Sequence, residues 1–219
     1  MALSAARSRR LLLVVAGCAL VLLLLAALPL TRDALLRSVG RALVAQDAIR
    51  HADVVVISID ADGAGVLEAA DLLHQGWATR VALFPDPPDP VDREFLRRGV
   101  PYSNRAAVAT MQLRSLGIEQ VELIPWSVTG TTDEGDVLRR WCAQQRIGSI
   151  IFVATADHSR RARRMLQRAL RGSATQVTVR YSPYSEFDPE GWWRSRNGVR
   201  IEVFEAQKLL ADLLRHPFS

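Results

Sequence analysis

Lysine is almost missing from this chain: Lys208 stands alone among 28 basic residues, the rest of which are arginine. Such arginine richness in an Ala-, Leu- and Val-rich chain reflects biased codon usage more often than nucleic-acid binding. No basic patch interleaved with aromatics and no nucleic-acid motif occurs, so the formal net charge of +5 does not point to DNA or RNA. Near a membrane that charge favours anionic headgroups or phosphorylated substrates. There are two cysteines, Cys18 in an apolar run and Cys142 in a predicted helix. They provide no disulfide framework and leave the redox compartment open. The G-x-G-x-x-G turn, the P-loop and the G-x-S-x-G elbow are all absent. Nicotinamide binding, Walker-type NTP hydrolysis and serine hydrolase chemistry therefore lack their usual signatures.

What the chain does have begins with Arg7, Arg9 and Arg10, followed by an apolar run from Leu11 to Leu30. Twenty helical residues span about 30 Å, the thickness of a bilayer core. The run is longer than a signal-peptide core, and Ala26-Ala27-Leu28-Pro29-Leu30 supplies no small-x-small cleavage site. An uncleaved signal anchor is expected over 1–31. The arginines before it argue for an inside N-terminus, with Arg32, Arg37 and Arg41 after it a weak counterweight. The expected location is a bacterial inner membrane, with the domain outside the cytoplasm. Residues 32–50 read as a helical stalk, Asp33 to Ile49 having Leu35, Leu36, Val39, Leu43 and Val44 on one side. The rest, 51–219, makes one domain.

Within it, strands are expected at Asp53–Ile59, Arg80–Phe84, Val121–Ile124, Ile150–Val153 and Gln176–Arg180. Helices alternate with them at Val66–Gln75, from Asn104 or Ser103 to Leu116, from Thr131 or Thr132 to about Gln145, after Asp157 or Ser159, and at Val199–Arg215. Asp92–Arg98 reads as a short helical turn. This alternation implies an α/β domain with a Rossmann-like, doubly wound, mostly parallel sheet behind one transmembrane helix. There is no internal repeat and no interior linker.

Three polar clusters follow strands: Asp60-Ala61-Asp62-Gly63, Thr131-Thr132-Asp133-Glu134 and Thr155-Ala156-Asp157-His158. In a parallel sheet all three fall at the carboxyl edge, where open α/β sheets bind ligands. His158 is suited to acid/base work because its ordinary pKa lies near neutrality. Arg161 offers a fork of donors for phosphate or carboxylate. Asp60, Asp62, Glu134, Asp157 and His158 are possible metal ligands, without any zinc-type spacing. Capping and a solvated helix face are the plainer roles for Asp157, Ser159 and the arginines. Trp192 and Trp193 read as a pocket wall, an interfacial belt or packing over the sheet edge.

The turn Thr132-Asp133-Glu134, the stretch Val153-Ala154-Thr155-Ala156-Asp157-His158-Ser159-Arg160-Arg161-Ala162, and a tail with Gly191-Trp192-Trp193, Glu205 and Lys208 resemble the SanA/YdcF/ElyC-like family. The resemblance spans roughly Asp53 to Leu214. It places Thr132 and Glu134 on the family's Thr-x-Glu signature, and His158, Arg161 and Ala162 on its second. It implies a Rossmann-like domain behind a membrane anchor, with a role in envelope integrity and peptidoglycan or lipid-carrier metabolism. For YdcF-like members it implies nucleotide-like ligands such as S-adenosylmethionine. Two turns depart from the family: Ser58-Ile59-Asp60-Ala61-Asp62-Gly63 replaces a glycine-rich turn, and Phe84-Pro85-Asp86-Pro87 a Ser-Gly-Gly turn. Aspartates there repel a phosphate unless a cation intervenes.

The expected function is an envelope enzyme acting on, or a protein binding, a phosphorylated, lipid-phosphate or otherwise anionic ligand. His158 and Glu134 are the expected catalytic groups, with Thr132, Arg161, Thr155, Asp157, Asp60 and Asp62 around the ligand. No metal or cofactor is named by these residues. The rival is a catalytically silent envelope scaffold of the same fold.

Overall fold

A run of four β-branched residues, Val54–Ile57, forms the central strand β1, and every one of them is buried. The computed structural model describes residues 17, 28–102, 104–128 and 130–217. Strands β2 (Val81–Leu83), β3 (Val121–Leu123), β4 (Ser149–Ala154) and β5 (Gln176–Tyr181) join β1 in one sheet. Its order is β3-β2-β1-β4-β5, and every pairing is parallel. The chain is thus an α/β fold of Rossmann-like kind. A strand covered on both faces needs apolar residues at every position, which is why β1 and the inner part of β4 show no alternation.

The pleat divides the core in two. Val54, Val56, Ile150 and Phe152 point to the side covered by α5 (Thr131–Gln145) and α6 (Ser159–Ala169), through Leu138, Trp141 and Leu166. Val55, Ile57, Ile151 and Val153 point to the side covered by α2 (Asp62–His74) and α4 (Arg105–Ser115), through Val66, Ala69 and Leu113. Each large side chain buried this way contributes roughly 1.5–3 kcal/mol. Gly65 and Gly135 allow two of the close helix approaches. A Cβ on Gly65 would lie 2.6 Å from both Ile57 and Ala61, and one on Gly135 would run into Met165 of α6.

A short helix, α3 (Pro90–Arg97), replaces the expected single turn, closed by a capping box between Asp89 and Asp92. Asn104 is the cap of α4, accepting from Ala107 N–H at 2.6 Å, and the alternative, Ser103, lies outside the described residues. The last helix, α7 (Arg196–Arg215), starts three residues before the expected Val199, where the Ser195 side chain accepts from Gly198 N–H.

The expected stalk is the main departure. Helix α1 (Pro29–Arg41) stops well short of Ile49. Beyond it the backbone finds partners in the domain instead of in its own next turn. Ala45 N–H donates to Ser159 Oγ at 2.8 Å, Arg160 N–H to Leu43 O, and Asp47 N–H to Val179 O on β5. Leu43 is buried with Ala156, Phe187 and Leu209, so residues 43–47 belong to the domain. Trp192 links α1 to it: its Nε1–H donates to Leu36 O at 2.8 Å, so packing and anchoring decide the role of this tryptophan. Arg194 stacks over Trp193. The expected span from Leu11 to Leu30 lies almost wholly outside the described residues. Among those described, no helix is long and apolar enough to cross a membrane.

Candidate functional site

The strand order reverses at β1 and β4, so the loops leaving these neighbours diverge and open a crevice at their carboxyl ends. Asp60 leaves β1, and Thr155, Asp157 and His158 leave β4. The third polar cluster follows β3, at the far edge of the sheet. It returns because α5 is the crossover that carries the chain from β3 back across β2 and β1 to β4. Glu134, in the first turn of α5, thereby reaches the end of β1.

Glu134 is completely buried. Its Oε1 accepts from Ser58 Oγ at 2.9 Å and from Ile59 N–H at 2.8 Å, while Oε2 has no partner. Burial pushes its pKa up, against the nearby His158 and those two donors. A proton held there would sit on Oε2, because both donors already point at Oε1. Ser58 Oγ accepts a long bond from Asp60 N–H at 3.4 Å, so Glu134 pins the turn that presents Asp60.

His158 is also buried, 1% exposed, and neither ring nitrogen makes a hydrogen bond. Nδ1 lies 3.7 Å from Glu205 Oε2 and Nε2 lies 4.0 Å from Asp60 Oδ2. Burial alone would raise the pKa of Glu205, but the facing His158, Lys208 and Arg161 outweigh it and lower it to about 2. Glu205 is therefore ionised, and its charge favours a proton on Nδ1. Lys208 Nζ donates to Glu205 Oε1 at 2.6 Å, and Arg161 Nε donates to Oε2 at 3.1 Å. Arg161 Nη1 reaches Thr131 Oγ1 at 3.0 Å.

A cavity of about 550 Å³ opens here. Asp60, Asp62, Thr155, Asp157 and His158 all line it, and so do Glu205 and Lys208. Glu134 does not: it sits behind the Ser58–Ile59 turn. Arg161 lines a neighbouring cleft. The side chain of Thr132 lies outside the described set, and Thr131 occupies the position beside Arg161. Asp157 is pushed up by burial, against its bond from Thr155. Asp62 has a left-handed backbone, φ 41°, at the lip of the cavity, a conformation aspartate tolerates better than most residues.

At the two helix starts nearest the crevice no side chain caps the helix. Gly130 and His158 occupy the cap positions of α5 and α6, without side-chain bonds. Ser159 Oγ instead donates to Ala156 O at 2.8 Å while receiving Ala45 N–H. Neither Ser159 nor Asp157 thus takes the capping role open to them. Among the described residues no group of three or more His, Cys, Asp or Glu is arranged to hold a metal ion.

Four members of the site were not singled out as site residues in the sequence: Ser58, Lys208, Glu202 and Glu205. Glu205 and Lys208 sit three apart on α7 and face the crevice only because that helix packs across α6. Glu202, one turn earlier, is 2% exposed with both carboxylate oxygens unpartnered. Burial, then the charge of Asp157, pushes it up to about 7.

No family model, no curated protein and no solved structure matches this chain.

Proposed function

We propose that this chain is an acid/base enzyme of the bacterial cell envelope, acting on a phosphorylated or otherwise anionic metabolite. In this reading the N-terminal apolar run anchors it in the inner membrane, and the domain works outside the cytoplasm on peptidoglycan or lipid-carrier intermediates. The SanA/YdcF/ElyC-like resemblance supports that setting. The observation that carries the chemistry is the pairing of two buried, incompletely bonded titratable groups, His158 and Glu134, at the β1/β4 crevice. Buried polar atoms without partners are expensive and concentrate where function needs them.

The roles follow from the geometry. The Glu205 carboxylate, 3.7 Å from Nδ1, draws the imidazole N–H to that side and leaves the Nε2 lone pair towards Asp60 and the cavity. Nε2 takes a proton from an attacking water or substrate hydroxyl and returns it to the leaving group. Glu134 positions the Ser58–Asp60 turn and, when neutral, holds a proton at Oε2. Thr155 and Asp157 line the ligand, and Asp60 and Asp62 form the outer wall. Arg161, clamped by Glu205 and Thr131, is a preset anion contact next to the cavity, with Thr132 beside it.

The test is complementation of a strain lacking this protein by His158→Gln, Glu134→Gln and Glu205→Gln, with membrane levels and melting temperatures checked. Loss of function in folded variants is expected. Full complementation by both His158→Gln and Glu134→Gln would end this reading. A silent scaffold is the second reading, favoured by the near-complete burial of His158 and by the aspartates at 60, 62 and 86. Under it, substitutions at Trp192 and Trp193 matter more than those at the crevice.

A further inference from the structure

The strand-end cavity is acidic: Asp60, Asp62, Asp157, Glu186 and Glu205 line it against Lys208 and His158. An oligophosphate does not settle there. Immediately behind the Arg161–Glu205–Lys208 partition lies a second cleft of about 510 Å³ with the opposite character. Five fixed cations line it, Arg139, Arg161, Arg168, Lys208 and Arg215, against the carboxylates of Asp136 and Asp212. We infer that this cleft binds a chain of linked phosphates, a pyrophosphate or longer, whose adjoining group reaches His158 past Lys208. The inference rests on the strand-end reading for the reaction only; binding follows from the cleft itself.

Three helices build it, each with one stripe. Helix α5 supplies Thr131 and Arg139, α6 supplies Arg161, Met165 and Arg168, and α7 supplies Lys208, Ala211 and Arg215. The missing side chain at Gly135, hard against Met165 and 2.8 Å from Ala169 Cβ were one added, lets α5 approach α6 closely enough to share the cleft. On α6 and α7 the cations recur after seven residues, Arg161 to Arg168 and Lys208 to Arg215. Seven residues of helix rise about 10 Å, two turns, so each pair stays on one face. Two such rows outreach a single phosphate and match two or three joined ones.

The inner cations are already oriented. Arg161 is fixed by Thr131 and Glu205, and Arg168 by both oxygens of Asp212. Held guanidiniums lose little freedom on binding, and their planar forks suit phosphate oxygens. Arg139 and Arg215 are exposed at the rim, with no ion-pair partner among the described residues. These are the cations left for an incoming anion. Lys208 lines both cavities, which makes it the point where a bound diphosphate meets the acid/base crevice.

The experiment is calorimetric titration of the full chain in detergent with inorganic tripolyphosphate and pyrophosphate. Vesicle sedimentation runs beside it, with phosphatidylcholine alone and with an isoprenoid diphosphate added. Arg139→Ser and Arg215→Ser, which remove no hydrogen bond or ion pair among the described residues, should each weaken binding roughly tenfold, the loss of one charge-assisted contact. Tight binding of soluble tripolyphosphate assigns a free oligophosphate. Binding confined to vesicles carrying the isoprenoid diphosphate assigns a lipid-borne one. Absence of both, or affinity untouched in the Arg139→Ser/Arg215→Ser double variant, overturns the inference. Failure of the strand-end reading shows separately, because Glu134→Gln and His158→Gln do not line the cleft and should leave tripolyphosphate affinity unchanged.

Discussion

Glu202 makes the fold weaker at neutral pH than in mild acid, and Glu202→Gln should remove that weakness. Its carboxylate is 2% exposed, makes no hydrogen bond and faces Asp157. In the unfolded chain it ionises near 4.5, whereas in the folded one it does so only at about 7. Below 4.5 both states carry the proton and nothing is lost. As pH rises from 4.5 to 7 the unfolded chain releases a proton that the folded chain keeps, so stability falls through that window and levels off above it. A displacement of this size corresponds to roughly 3 kcal/mol, a large share of the 5–15 kcal/mol that holds a typical domain together. Glutamine still buries an amide without partners, at a cost of about 1–3 kcal/mol, so the absolute stability of the variant decides little. The decisive quantity is the difference between wild type and variant as pH changes. Denaturant unfolding of the full chain in detergent at pH 4.5, 5.5, 6.5 and 8 measures it. The variant should gain on the wild type by up to about 3 kcal/mol across the series, or roughly 6–12 °C in melting temperature. Glu68, buried and also pushed up to about 7, titrates in the same window but cancels in the difference. Parallel curves for the two proteins would refute the argument.

Glu205 has the opposite sign. Its carboxyl is lowered to about 2, so the stability it supplies is present above 4.5 and disappears as pH falls towards 2. Glu205→Gln should therefore cost up to about 3 kcal/mol at pH 7, with the gap to wild type narrowing in acid unfolding. An unchanging gap down to pH 2.5 would contradict the assignment. Gly135→Ala should destabilise by about 1–3 kcal/mol through overpacking against Met165 and Ala169. Adding Met165→Ala should cost less in that background than in wild type, as a double-mutant cycle would show; strict additivity would sink the claim of contact.

The strand-end placement of Asp60, Asp157 and His158 was legible in advance because it follows from two local signals. A run of β-branched residues makes a buried parallel strand, and polar residues after it must lie at the sheet edge. The same logic located every strand to within a residue or two. Glu134 was legible as a residue near the strand ends, but not as one behind the cavity wall, because its depth depends on how α5 crosses from β3 to β4. The capping role open to Asp157 or Ser159 is filled by neither, since a hydroxyl or carboxylate can serve a helix end or a distant chain equally well. Ser159 serves Ala45, 114 residues away. The helix expected to run to Ile49 broke at Arg41 for the same reason: amphipathic spacing cannot report that Leu43 and Asp47 find partners on α6 and β5.

The sequence by itself thus determined the layer order of this protein, a parallel sheet between helices with polar chemistry at one edge, because strand and helix periods are local properties. Only the tertiary structure decided how the charges divide. Arg161 lies 44 residues before Glu205 in the chain, and its pairing with Glu205 and Lys208 separates an acidic cavity from a basic cleft. Coulomb interactions depend on distance in space, and no spacing along the chain encodes that distance.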